Sequence, residues 1–268
     1  MLRRSSVLFN PEQPRAKRAG GGTGPAQKLR IGVVDGNTYA SRLRDVFEHL
    51  NLSQSAFNFT QVIVPLRREL LVSGIRTKKF ASKLGLPLTK AELANNVYAP
   101  DLLDALKPVH SKLGFDALGV IVASMLIDGE KRSDIEANLF STSRGRLFAA
   151  SAFDLREYSA VARRPFELSL AVVAIAQALQ AIFKNVQFHD ETRGCLFDYC
   201  EDRDDLIRGL QKISICAESL AQIPAARRSD VLKLVAALES YDRQFSPSEQ
   251  QILTKLRSEA TADRRKKS

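Results

Sequence analysis

The chain contains few cysteines. There are three among its 268 residues, and they stand close together at Cys195, Cys200 and Cys216. A small, odd number of cysteines does not form the paired disulfide framework that stabilises small secreted domains. The cysteine content therefore favours a reducing compartment, and we expect the protein to be cytoplasmic.

Long apolar runs are also missing. A membrane-spanning helix needs about 18 or more consecutive apolar residues, and no segment of this sequence approaches that length. The opening residues, MLRRSSVLF, hold too short an apolar stretch for a secretory signal. The glycine-rich stretch at 20–25 lacks the following Lys-Ser/Thr of a phosphate loop. We therefore expect no membrane partner and no nucleotide site at this stretch.

Positive charge is abundant, but it is confined to the ends of the chain. Residues 1–30 hold seven Lys or Arg against one Glu, and residues 255–268 hold six against two acidic residues. These two tails account for the whole formal net charge of +10, so the body between them is neutral. Such tails can bind nucleic acid weakly and without sequence preference, or they can simply keep the protein soluble. Both interpretations remain open.

The pattern of apolar residues predicts an α/β (α+β) fold with a mixed twisted sheet flanked by helices and a helical C-terminal extension. Strands are expected at 29–34, 59–64, 115–123 and 146–152, and helices at 39–50, 101–107, 166–183, 204–213 and 230–238. Ser229 is expected to cap the helix at 230–238, and residues 246–249 form a capping box. The segment at 166–183 is apolar nearly all round, which predicts a buried helix.

Three regions are expected along the chain. Residues 1–28 are predicted to be a disordered basic tail, because their composition cannot bury enough apolar surface to fold. Residues 29–222 are expected to form the α/β domain, and residues 223–268 a helical C-terminal extension that ends in the second basic tail. The turn at residues 35–38 follows the first strand, where α/β domains place ligand loops, although an ordinary turn explains it equally well.

Metal-capable side chains are concentrated in a single window. His189 and all three cysteines lie between residues 189 and 216, and the chain has only two other histidines. Asp190 and Glu191 follow His189 directly, which could indicate acid-base chemistry, although a charged, solvated loop is the commoner explanation. This window is therefore the main candidate for chemistry.

Residues 115–216 resemble archaemetzincins, a zinc-peptidase-like family of the metzincin group. The similarity lies in a central strand at 115–124, an edge strand at 138–141 with 146–153 that binds extended peptide in metzincins, an active-site helix at 166–183, and the cysteine window. Cys195 and Cys200 match the first cysteine pair of the family, and the sequence from Cys216 to Ser219 resembles its closing pair. The resemblance implies a metzincin-like fold.

The resemblance also implies a structural zinc site. In the family, four cysteines bind zinc through thiolates only. Ser219 occupies the fourth cysteine position here, and His189 can supply the missing ligand. The implied ligand set is therefore His189, Cys195, Cys200 and Cys216. Two other interpretations remain: the cysteines are small buried apolar residues, or one of them is a redox-sensing thiol.

The catalytic motif of the family is absent. The family carries His-Glu-x-x-His-x-x-Gly-x-x-His, in which the histidines bind zinc and the glutamate activates a water molecule. Residues 171–181 of this chain contain no histidine and no carboxylate, and Gly194 precedes the first cysteine. We therefore predict no catalytic residue and no cofactor-binding residue.

These observations favour a catalytically inactive peptidase-like module, a pseudo-metallopeptidase, that binds a protein partner or has a structural role. One alternative is a nucleic-acid-associated protein that uses its basic tails. A second alternative is an atypical zinc hydrolase that uses His189 and the cysteines.

Overall fold

The computed structural model of the chain describes residues 27–71, 74–75, 78–86, 88–129, 135–200, 203–241, 250–251 and 254–255. Almost all of the predicted N-terminal tail (1–28), the predicted capping box at 246–249 and nearly all of the C-terminal basic tail lie outside these residues.

The described residues alternate between strands and helices. The strands are β1 (Leu29–Asp35), β2 (Phe57–Val62), β3 (Asn96–Tyr98), β4 (Ala117–Val122), β5 (Met125–Asp128), β6 (Glu136–Leu139), β7 (Ser141–Arg144) and β8 (Leu147–Ser151). The helices are α1 (Leu43–Ser53), α2 (Lys78–Lys83), α3 (Lys90–Ala94), α4 (Ala99–Leu113), α5 (Leu155–Ala162), α6 (Phe166–Ile182), α7 (Arg203–Lys212), α8 (Ala217–Gln222) and α9 (Ala225–Glu239), with a 3₁₀ turn at Arg68–Leu71.

The predicted α/β class is confirmed. The main sheet has the order β2-β1-β4-β8-β7, in which the first four strands are parallel and β7 is antiparallel to β8. A smaller sheet has the order β3-β5-β6. All six residues of β4 are buried, as expected for a continuous apolar run in a sheet covered on both faces. Gly119 in β4 is required by packing, because a Cβ there would lie 2.1 Å from the ring of Phe148.

Helices cover both faces of the main sheet. On one face, α1, α5, α6, α7 and α9 contribute to a single apolar cluster with β1 and β8. On the other face, α4 packs Leu102, Leu103 and Leu106 against β4. The predicted C-terminal helical segment thus packs on the core through α9, which contacts α1 and α8.

Helix α6 is the central buried helix, as predicted. Every one of its residues except Gln180 is buried, and the helix packs against β4, β7 and β8. No single helix in the described part of the chain has the length and apolar composition to cross a membrane. Helices α5 and α6 have this length and composition only when they are taken together, and a bend of 108° separates them.

The prediction that the strand at 146–153 lies at the edge of the sheet is wrong. Strand β8 lies inside the sheet, paired with β4 on one side and β7 on the other, and β7 forms the edge. Residues 138 and 139 belong to β6 in the smaller sheet. A tight turn at Gly145, where φ is +65°, folds β7 back onto β8. The four residues of β7 are Ser-Thr-Ser-Arg, so no alternation of apolar and polar residues indicated this strand in the sequence.

Two predicted helix boundaries also differ from the structure. Helix α9 begins at Ala225, directly after Pro224, so Ser229 lies inside the helix and does not cap it. Helix α4 continues through Pro108 and ends at Leu113, where Gly114 caps it in the left-handed conformation with φ of +65°. In α4, Val109 and Leu113 pack against the core beyond Pro108, and this packing outweighs the local signal of the proline. In α9, none of residues 225–229 is buried, so packing on the core does not account for its earlier start.

Candidate functional site

A groove runs along the edge of the main sheet. Its volume is about 940 Å³, and it is lined by all four residues of β7, by parts of β5, β6, α6 and α7, and by the loop at 188–200. Since β7 is the last strand of the sheet, no other strand among the described residues pairs with its outer side. The groove is therefore the place where a further extended chain can reach the sheet.

Hydrogen bonds fix β7 to helix α6 through two glutamines. Ser141 donates to Gln177 at 2.8 Å, and Ser143 donates to Gln180 at 3.2 Å. The amide of Gln177 in turn donates to Gln180. These side chains hold the strand from its α6 side.

The opposite face of β7 is held by Asp128 at the end of β5. Thr142 donates to one oxygen of this carboxylate, and Arg144 donates to the other at 2.7 Å. The alternation of side chains along a strand explains why Thr142 and Arg144 reach Asp128 while the two serines reach α6. Strand β7 thus joins the two sheets and helix α6 at the groove.

The α6 wall of the groove carries no metal ligand. The side chains of α6 that line it are Val172, Val173, Ala176, Gln177 and Gln180. None of these side chains has a thiolate, imidazole or carboxylate, which are the groups that bind zinc. A catalytic zinc of the kind implied by the resemblance therefore does not fit on this helix.

A cluster of possible metal ligands lies at the loop formed by residues 188–200. The ligand atoms of His189, Cys195 and Cys216 all lie within 4.8 Å of one another, and this is the one group of three or more His, Cys, Asp or Glu within metal-binding distance in the described residues. The structure thus brings together three of the four predicted ligands. Soft thiolates with an imidazole form a donor set that suits zinc.

Cys200 is not part of this group. Its Sγ lies 3.6 Å from the carbonyl oxygen of Asp198, and the residue lines the groove. Ser219 lies closer to the other two thiols: its Oγ is 3.5 Å from Sγ of Cys195 and 3.3 Å from Sγ of Cys216. Ser219, at the fourth cysteine position of the family pattern, is fully buried beside these two thiols.

Contacts of both the backbone and the imidazole ring fix the orientation of His189. Its N–H donates to the carbonyl of Phe197 at 3.0 Å, which places the imidazole beside Asp198. Its Nδ1 lies 3.0 Å from the carbonyl oxygen of Glu191 and 3.3 Å from Oδ1 of Asp198. Two acceptors around Nδ1 favour the tautomer protonated there. The Nε2 lone pair then faces Sγ of Cys216, at 3.5 Å.

Asp198 is the residue of this site that sequence reasoning missed. Its Oδ2 accepts backbone N–H groups of Arg193, Gly194 and Cys195 at 3.0, 2.7 and 2.9 Å, while its buried Oδ1 makes no hydrogen bond and faces His189. A carboxylate behind a ligating histidine is a common feature of zinc sites. Only the folded loop shows this role, because nothing in the sequence distinguishes Asp198 from Asp190.

The acidic residues predicted for acid-base chemistry lie elsewhere. Asp190 is exposed, and Glu191 pairs with Arg193, which also binds Glu218 at 2.8 Å. This arrangement joins the loop to helix α8 on the surface. Neither Asp190 nor Glu191 is among the residues that line the groove.

The two clustered thiols have opposite electrostatic environments. Burial raises the pKa of Cys195 despite its hydrogen bonds from the N–H groups of Cys216 and Phe197. Burial also disfavours ionisation of Cys216, but hydrogen bonds with Ser219, and weaker ones with Cys195 and His189, outweigh it and lower its pKa to about 7. Cys216 is therefore the thiol of this pair that ionises near neutral pH.

The turn at residues 35–38 is closed by its own side chains. Oδ1 of Asp35 accepts hydrogen bonds from the N–H and the hydroxyl of Thr38. Oδ1 of Asn37 accepts a hydrogen bond from the N–H of Ala123 at 2.8 Å. These hydrogen bonds account for the polar residues of the turn, in agreement with its interpretation as an ordinary strand-to-helix connection.

Comparison with known proteins gives structural matches only. No protein-family model matches the chain, and no curated protein matches it. The chain is similar to the crystal structure of archaemetzincin from Methanopyrus kandleri, at 13% identity and a TM-score of 0.45, with 78% of this chain and 96% of that chain covered. It is also similar to a zinc-dependent peptidase from Methanocorpusculum labreanum, at 12% identity and a TM-score of 0.43, with 72% and 98% covered. The resemblance predicted from the sequence thus recurs in the structural comparison.

Proposed function

We propose that this protein is a peptide-binding module that holds an extended segment of a partner protein along β7 and does not cleave it. The observation that carries the proposal is the groove beside an edge strand whose outer side has no partner strand in the described residues. An extended peptide binds such an edge as an additional strand, with its backbone providing affinity and alternate side chains providing specificity.

The direction of the backbone groups supports this binding mode. The N–H of Ser151 in β8 donates to the carbonyl of Phe140 at 2.7 Å. Backbone hydrogen bonds in an antiparallel pair involve alternate residues. The backbone N–H and C=O groups of Thr142 and Arg144 therefore point towards β8, and those of Ser141 and Ser143 point outward. These outward groups are the ones that a peptide strand would bind.

The rest of the groove provides an apolar surface for side chains of the peptide. Val173 and Ala176 of α6 and Leu206 and Leu210 of α7 are among the apolar residues that line it, and Tyr199 in the loop is 42% exposed. A partly exposed aromatic side chain beside apolar walls is the kind of residue that dominates binding energy at interfaces. We therefore expect the partner segment to carry apolar residues at alternate positions.

A proline substitution tests the binding mode. Peptides would be selected from a displayed library against the full chain, and their affinities measured by calorimetry. Ser143→Pro removes an outward N–H and should weaken binding about fivefold or more, since each lost backbone hydrogen bond costs about 1 kcal/mol or more. Ser143→Ala removes only the hydroxyl that reaches Gln180 and should bind nearly as well. Equal affinity of the proline variant and the wild type would refute strand addition.

A second proposal concerns the cluster behind the loop. We propose that His189, Cys195 and Cys216 hold a structural zinc ion, with Ser219 beside them and Asp198 orienting the imidazole. The bound ion would brace the groove wall, because Cys195 of this cluster and Asp198 beside it both line the groove. His189 and Cys216 are not among the described residues that line the groove, which favours a structural role over hydrolysis.

Elemental analysis of the purified chain and three variants tests this ligand set. Cys195→Ser and Cys216→Ser should each lose zinc, because the remaining ligands are too few for a structural site. Cys200→Ser should keep it, because its Sγ lies outside the cluster. Zinc loss in the Cys200→Ser variant would restore the ligand set predicted from the sequence and contradict this one.

A further inference from the structure

We propose that Cys216 and Cys195 form a thiol–disulfide exchange site in the metal-free chain, which reacts with low-molecular-weight disulfides such as oxidised glutathione. Cys216 is the entry thiol and Cys195 the resolving thiol. This chemistry is independent of peptide binding, since it requires only the two sulfur atoms and access to one of them.

The fold holds the two sulfurs side by side from separate segments of the chain. Their Sγ atoms lie within 4.8 Å of each other. A parallel β-bridge between Cys195 and Ser214 aligns the two segments, and the N–H of Cys216 donates to Sγ of Cys195 at 3.3 Å. A disulfide needs sulfur atoms about 2 Å apart, so the two sulfurs must move towards each other for the bond to form.

The two thiols differ in access, which assigns their order of reaction. Cys195 is 4% exposed, whereas Cys216 is only partly buried. A bulky disulfide such as oxidised glutathione reaches a partly exposed sulfur far more readily than a buried one. Cys216 therefore reacts first, and Cys195 is already adjacent to the mixed disulfide when it forms.

The two steps balance without any other reactant. In the first, the Cys216 sulfur attacks one sulfur of oxidised glutathione, the glutathione S–S bond breaks, and the released glutathione takes up the proton of the Cys216 thiol. In the second, the Cys195 sulfur attacks Cys216, the mixed disulfide breaks, and a second glutathione leaves with the proton of Cys195. The protein loses two electrons as a disulfide, and one oxidised glutathione becomes two reduced molecules.

The same sulfur atoms serve the proposed zinc site, so the two states exclude each other. Zinc binds thiolates and has no affinity for a disulfide. A zinc-loaded chain should therefore resist exchange, and the oxidised chain should not take up zinc until it is reduced. The failure of one proposal can be distinguished from the failure of the other, because exchange is tested on the metal-free chain.

The experiment uses the full chain with Cys200→Ser throughout, so that only the paired cysteines remain. The metal-free protein is treated with oxidised glutathione, remaining thiols are blocked with iodoacetamide, and the products are mapped by peptide mass spectrometry. The expected product is a Cys195–Cys216 disulfide. With Cys195→Ser added, glutathione should stay attached to Cys216. With Cys216→Ser added instead, Cys195 should remain almost unmodified.

Circular dichroism of each variant establishes that it is folded, and zinc-loaded protein provides a further arm in which the disulfide should not form. Two results overturn the proposal: a folded, metal-free chain in which no Cys195–Cys216 disulfide forms, or a Cys216→Ser variant in which Cys195 takes up glutathione as fast as Cys216 does in the Cys195→Ser variant.

Discussion

The Nδ1 atom of His189 lies 3.3 Å from the carboxylate of Asp198, and this contact leaves Nε2 of the same ring facing the sulfur of Cys216. Asp198 is itself fixed by three backbone N–H groups of the loop at 193–195. The loop therefore sets the orientation of the imidazole, and the imidazole sets which of its nitrogens is available to a metal.

Replacing Asp198 tests this orientation. Asp198→Asn keeps the shape of the side chain but removes the charge that stabilises the proton on Nδ1. We expect zinc affinity to fall roughly 10- to 100-fold, as is typical when the partner of a ligating histidine is lost. Competition with a chelating dye measures the change. Asp190→Asn is the matched control, because Asp190 is exposed, and its affinity should equal that of the wild type.

The metal-free chain should become more stable as the pH rises from 7 to 9. The pKa of Cys216 is lowered from 9.0 to about 7, so the folded state holds the thiolate over a range in which the unfolded chain binds a proton. This stabilisation is complete above pH 9 and is lost as the pH falls through 7. Because the thiol is partly exposed, we expect a gain of about 1 kcal/mol.

Urea unfolding at several pH values measures this gain. The Cys216→Ser variant should lack it, since serine does not ionise in this range. A variant that shows the same rise in stability between pH 7 and 9 would assign the effect to another group.

Tyr199 should contribute to peptide binding. Its ring lines the groove and is 42% exposed, so Tyr199→Ala removes contact area from the bound peptide. We expect about tenfold weaker binding, in line with aromatic hot spots, in a variant that remains folded by circular dichroism. Tyr39→Ala serves as control, because Tyr39 is 87% exposed and is not among the described groove residues. If both variants bind equally well, the peptide does not contact this part of the groove.

Gly119 should be intolerant of even one added methyl group. A Cβ at this position would lie 2.1 to 2.4 Å from ring atoms of Phe148, and the resulting overpacking should cost roughly 1–3 kcal/mol. Thermal unfolding of Gly119→Ala measures the loss. Gly209→Ala is the control in helix α7, where the Cβ meets nothing within 4 Å, and the change should stabilise the chain by about 0.5–1 kcal/mol.

Much of the fold could be predicted because its central elements are apolar throughout. The run at β4 and the apolar composition of α6 indicated a buried strand and a buried helix, and both are present. Strand β7 could not be recognised in the same way, because its residues are polar and its position depends on hydrogen bonds to Asp128 and to the glutamines of α6. Its place at the edge is a property of the tertiary structure.

The candidate metal site was predictable to a similar extent. Proximity in sequence suggested His189 and the three cysteines, and the structure brings together all of these except Cys200. Spacing alone could not show that Cys200 lies beside the groove, since the loop turns between it and Cys195. Asp198 could not be identified either, because its role depends on three N–H groups that converge only after the loop has folded. The functions proposed for the basic tails concern residues beyond the described range and stay predictions.

We propose above that the groove binds an extended peptide and leaves it intact. The most direct measurement incubates a selected, tightly binding peptide with the zinc-loaded full chain and follows the peptide by mass spectrometry over many hours. We expect the peptide to stay bound and uncut, because the α6 wall of the groove offers Val173, Ala176 and Gln177 in place of metal ligands. Cleavage that a chelator abolishes and added zinc restores would contradict it.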